Sequence, residues 1–212
     1  MIFAAAENLL RGEITATPRP RTCVLLGASG CALAGLALGA SSGEWRLAVY
    51  AAIKVPLLIV LTAALCMPSF YVVNTVLGLR DDFALACRGL LAAQATLGVM
   101  LGALAPMLIF LSLGTNDPYA VTLLDALQFG AATWAAQQVL ARHYRPLILH
   151  NPRHRLALRG WLVLFAFTGM QLAWVLRPFR GTEGFGVQFL RAEAFQQNAY
   201  IVLLEHFARL WR

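Results

Sequence analysis

The residues in this sequence best placed to do chemistry are polar side chains set inside apolar runs. Asp125 is the sharpest case. It lies five residues into a mostly apolar stretch, where a carboxylate costs about 2.5–3.5 kcal/mol at a bilayer's centre and less toward its edge. Gln128 follows at i+3, on the same face of a helix. With Asn74 and Gln94 on neighbouring runs, the four form a candidate polar path for a proton or cation. The same set would serve equally as polar glue, with Asp125 bonded to Asn74 or Gln94 across helices.

Cationic and aromatic residues make a second group. Lys54, the one lysine, stands at the start of an apolar run. There it would meet a headgroup or an ion, or snorkel to the interface. His143, His150 and His154 cluster with Arg142, Arg145, Arg153, Arg155 and Arg159. Pro152 interrupts the i, i+4 spacing of His150 and His154, so convergent metal ligation is not expected. Segment 142–159 reads as a solvated basic loop facing anionic lipid headgroups. Farther on, Arg177, Phe179, Arg180, Glu183, Arg191, Asn198 and Tyr200 fall in a glycine-interrupted stretch. Its phenylalanines could dip into the interface while its arginines meet phosphates, or the stretch could dock a partner protein.

Other chemistries leave no trace. The sequence has no phosphate-binding glycine loop, nucleophile elbow, HExxH pair or dinucleotide fingerprint. The cysteines Cys23, Cys31, Cys66 and Cys87 form no CxxC pair, and three sit inside apolar runs, as small buried thiols do. No catalytic residue, metal or cofactor is expected. The net charge of +7 comes from basic segments flanking apolar ones, a pattern for anionic lipid rather than nucleic acid.

The elements that must position these residues are transmembrane helices. The 212 residues are 59% apolar and only 13% charged, with a mean hydropathy of +0.67. A soluble domain is about 45–50% apolar and about 25% charged. A span takes about 20 mostly apolar residues, and five stretches qualify: 22–41, 55–79, 90–113, 120–140 and 161–176. The fourth is the most polar, carrying Asp125, Gln128, Gln137 and Gln138. The turn-rich stretch before it, Gly114 to Pro118, predicts a hairpin with the third. Pro56 fits a first helical turn and Pro68 a helix interior. The first stretch is too long for a signal peptide's core and reads as a retained helix. Gly35-xxx-Gly39 and Gly98-xxx-Gly102 match the small-residue motif for close helix contact, internal or with another subunit.

The expected architecture is therefore an all-α polytopic bundle at 22–178. A segment at 1–21 with a short interfacial helix over 2–11 precedes it. A loop and an amphipathic surface helix follow at 179–212. The arginines weigh on one side: Arg11, Arg19, Arg21, Arg80, Arg88 and those of 142–159 stand against Arg46, Lys54, Arg177 and Arg180 in short segments. The positive-inside rule then puts the N-terminus in the cytoplasm and the C-terminus outside.

The string from Lys54-Val55-Pro56-Leu57-Leu58 to Pro68-Ser69-Phe70-Tyr71-Val72-Val73-Asn74, with Trp174-Val175-Leu176-Arg177-Pro178-Phe179-Arg180-Gly181, resembles a widespread family of uncharacterised bacterial multi-span membrane proteins. That resemblance implies no activity and no catalytic residues. The topology alone is similar to Yip1-type proteins. The function expected is a non-enzymatic scaffold, anchor or accessory subunit of the bacterial inner membrane, partnered by lipid and by other membrane subunits or itself. A small transporter or channel around Asp125 is the first rival, and an intramembrane lipid-modifying enzyme the second.

Overall fold

The computed structural model describes residues 2–11, 18–40, 44–114, 118–177, 179, 189–190 and 200. Among them the chain is all-helical: α1 (Ile2–Arg11), α2 (Pro20–Ala40), α3 (Trp45–Val76), α4 (Phe83–Leu113), α5 (Pro118–His150) and α6 (His154–Val175). Four of these, α2, α3, α4 and α6, are long and apolar enough to cross a membrane. The chain is a multi-pass membrane protein.

Side-chain neighbours give the direction of each helix. Gly27 lies on Ala95 and Gly102 on Gly30, so α2 and α4 run parallel. Gly35 meets Ala51 and Gly39 meets Ala48, so α3 returns antiparallel beside α2. Gly89 faces His143 while Gln128 bonds to Leu101, which makes α5 antiparallel to α4. Phe70 packs on Trp161 and Thr62 on Gly169, so α6 is antiparallel to α3.

Backbone contact explains why α2 is so rich in Gly and Ala. A β-carbon on Gly30 would collide with the Gly98 carbonyl group, and one on Gly98 with that of Gly27. Lipid tails are as apolar as leucine, so helices associate through close dispersion contact, and glycine brings the backbones together. The predicted glycine motifs therefore serve contacts inside the chain, joining α2 to both α3 and α4.

The five long helices begin before the predicted spans, and α5 also continues past the end of its own. An apolar window detects only the hydrocarbon-buried part of a helix, and polar turns continue it into the interface. Three readings change as a result. Helix α3 begins at Trp45, so Pro56 and Pro68 both lie inside it and Lys54 is more than two turns from its start. Segment 142–159 is not a loop: α5 continues through Pro146 to His150, and α6 opens at His154 after a turn at Asn151–Arg153. The short helix α1, expected at the interface, is also docked on the bundle: Leu9 is 1% exposed, packed with Cys23, Ala92, Ala95 and Val139.

Helix α5 falls short of the apolarity that marks the other four. Its path is nonetheless fixed at both ends. It starts beside the end of α4 and finishes where His154 meets Asp82, at the start of α4. Its 33 residues extend about 50 Å at 1.5 Å per residue, enough for the whole return.

The α3–α4 turn is closed by a glycine cap. Gly78 has φ +72°, its N–H bonds to the Thr75 carbonyl at 3.1 Å, and the Leu79 N–H reaches the Asn74 carbonyl at 2.8 Å. This is the Schellman arrangement, which satisfies carbonyls at a helix end and needs a residue free to adopt positive φ.

Candidate functional site

Two polar clusters sit at opposite ends of the bundle. At the end where α4 and α6 begin, the imidazole Nε2–H of His154 donates to Asp82 Oδ2 at 3.0 Å. An ionised carboxylate only accepts, so the proton on that bond belongs to the histidine. His154 is fully buried and Asp82 partly exposed. The Arg153 guanidinium donates to the Leu77 carbonyl at 3.2 Å, which ties the α5–α6 turn to the α3–α4 turn. The Arg142 guanidinium donates to the Arg11 carbonyl, which holds α1 to α5. His143 places Nδ1 2.9 Å from the Val139 carbonyl. Tyr144 is buried against Gly89, its hydroxyl without a hydrogen-bond partner among the described residues.

A cleft of about 720 Å³ opens between α2, α4 and α5 at this end. Its polar lining comes from Arg19, Asp82, Arg88, His143 and His150, and its apolar lining from Leu85, Leu91, Pro146 and Leu147. Sequence reading grouped the histidines by position along the chain and missed the cleft. It depends on the parallel register of α2 and α4, which brings residues distant in sequence to one wall.

At the other end, α2, α3, α4 and α5 converge on a cluster with Leu38, Val55, Leu101, Leu108 and Ala132, against which Phe179 packs. Lys54 is 0% exposed there, so it does not snorkel. Its ammonium lies 5.1 Å from the ring centroid of Phe189, which also packs perpendicular to the Tyr50 ring. Phe189 thus covers a buried cation with its π face, a contact worth about 2 kcal/mol or more when desolvated. The Gln128 amide donates to the Leu101 carbonyl at 3.0 Å, and Asp125 sits half-buried one turn away.

The four residues of the candidate polar path are not brought together. Asn74 lies at the α3–α4 turn, fully buried, its amide donating to the Phe70 carbonyl at 2.8 Å. Gln94 is partway along α4, its Oε1 buried without a partner among the described residues. Gln128 faces Leu101, about 27 Å along α4 from Phe83 at 1.5 Å per residue. Asp125 and Gln128 share an end, whereas Asn74 belongs to the opposite one.

Of the proposed docking segment, Arg177 lies over the Trp174 ring at 3.1 Å and donates to the Trp174 carbonyl. Tyr200 stacks on Phe167 with ring centroids 4.2 Å apart and bonds to the Phe167 carbonyl. That contact falls in the middle of α6 rather than at its end. Arg180, Glu183, Arg191 and Asn198, with the tail helix expected beyond 191, lie outside the described residues. Among the described residues, no group of three or more metal-ligating side chains converges.

Fold and site together define a polytopic helical membrane protein. No family model matches the chain, and neither does any curated protein or solved structure.

Proposed function

We propose that the chain is a non-enzymatic accessory or anchoring subunit of a larger complex in the bacterial inner membrane. The observation that carries this reading is α5. It makes the return between α4 and α6 without the apolarity of the other long helices. Its outer face shows Leu127, Ala131, Trp134 and Gln138 at i, i+4, i+7 and i+11, with Gly130 and Thr133 beside them, all exposed. A β-carbon on Gly130 would meet nothing within 4 Å. An apolar groove of about 220 Å³ runs along this face between α4 and α5, lined by Leu104, Met107, Leu127 and Ala131 among others. Small residues with a few hydrogen-bonding groups suit another helix better than lipid tails. The occupant we assign is a transmembrane helix of a partner subunit.

Orientation follows from charge. Arg19, Arg88, Arg142, Arg153, Arg155 and Arg159 all belong to the Asp82–His154 end, whereas Arg46 and Arg177 mark the other. By the positive-inside rule the first end faces the cytoplasm. Gentle extraction from native membranes tests the subunit reading. The chain should elute with a fixed stoichiometric partner, and a monodisperse lone monomer would contradict it.

A further inference from the structure

The cleft at the cationic end is not needed for a subunit interface on the outer face of α5, and its chemistry points elsewhere. Among the described residues its two guanidiniums are Arg19, just before α2, and Arg88, on α4, and neither has a carboxylate partner. The one acid in its wall among the described residues, Asp82, is already committed to His154. The cleft therefore presents surplus positive charge, with the His143 and His150 rings as further polar lining. Besides the charges, Leu85, Leu91, Pro146 and Leu147 give the cleft an apolar trough, and Leu85 is 53% exposed. Toward the bundle interior the trough ends where Cys23 and Leu91 meet Leu9 of α1. Its volume is that of a typical small-molecule site, about 300–1,000 Å³.

We infer that this cleft binds a phosphate-bearing amphiphile. The phosphate sits between the Arg19 and Arg88 guanidiniums, which match its oxygens in fork geometry. The apolar portion lies along Leu85, Leu91 and Leu147. The site is at the level of the first turns of α2 and α4, where a lipid's headgroup meets its chains. Arg155 and Arg159, exposed on α6 at the same end, do not line the cleft and serve as controls for diffuse surface attraction.

The test is native mass spectrometry of the full chain released from detergent, titrated with phosphatidylglycerol, with phosphatidylcholine, and with glycerol 3-phosphate as competitor. Phosphatidylglycerol should bind at least tenfold more tightly than phosphatidylcholine. The double variant Arg19→Gln/Arg88→Gln should lose most of that preference, and Arg155→Gln/Arg159→Gln should keep it. Leu85→Asp, at an exposed position, should weaken binding without disturbing the bundle. Failure of glycerol 3-phosphate to displace the lipid supports the lipid as occupant. Displacement at equal concentration overturns the amphiphile and assigns the cleft to a soluble phosphate compound. Equal loss in the Arg155/Arg159 variant, or full preference in the Arg19/Arg88 variant, overturns the site. None of these readouts depends on the partner subunit, so the two proposals fail separately.

Discussion

Gly30 of α2 and Gly98 of α4 meet backbone to backbone, and neither position has room for a methyl group. Gly160 of α6, by contrast, has nothing within 4 Å of where a β-carbon would go. Gly30→Val or Gly98→Val should therefore destabilise the bundle by about 3 kcal/mol or more, because backbone cannot move aside as a side chain would. Gly160→Ala should be neutral or stabilising by about 0.5–1 kcal/mol. Thermal denaturation in detergent, followed by size-exclusion chromatography, separates the two outcomes.

The buried His154 and the partly exposed Asp82 predict an asymmetry between their variants. Asp82→Ala leaves an imidazole in the interior without its acceptor, at a cost of about 1–3 kcal/mol. His154→Phe keeps an aromatic ring in the same pocket, and the orphaned carboxylate still reaches water. Its loss should be the smaller of the two in chemical denaturation.

Lys54 and Phe189 predict a coupling. Lys54→Met removes the cation from beneath the ring, and Phe189→Leu removes the ring from above the cation. Each should cost about 2 kcal/mol or more through the lost, desolvated cation–π contact. The double variant should cost less than the sum, as neighbouring residues do in a double-mutant cycle. Strict additivity would show that the contact carries no energy.

How much of this was legible in the sequence depends on the scale of the signal. Long apolar blocks identify helices directly, and each of the five expected spans overlaps a different one, with 22–41, 55–79 and 161–176 overrunning its end by one to three residues. The helix starts were less visible. Trp45 to Lys54 of α3 and His154 to Gly160 of α6 mix charged with apolar residues, and such turns continue a helix without adding to its apolar window. The glycine motifs were readable as close-contact signals, but their partners were not, since Gly98 meets α2 only through the parallel register set by α3. The polar residues misled for a related reason. Asn74, Gln94 and Gln128 look alike as intrusions into apolar runs, yet they stand at different depths. Depth comes from helix direction and register, which no single run contains.

Orientation yields a direct prediction. Glu44, exposed before α3, and Arg155, exposed at the start of α6, belong to opposite ends of the bundle. In a background with the native cysteines replaced, Glu44→Cys should react with an impermeant maleimide in intact cells. Arg155→Cys should react only after permeabilisation. The reverse pattern would invert the proposed topology.

The face of α5 tests the central proposal most directly. A photoreactive residue in place of Trp134, which is 68% exposed on α5, can be compared with one at Val163, equally exposed on α6. After irradiation in native membranes, position 134 should give one discrete protein adduct that disappears when Gly130→Leu is added. Position 163 should give lipid adducts alone. Lipid adducts alone at both positions would contradict a subunit docked on α5.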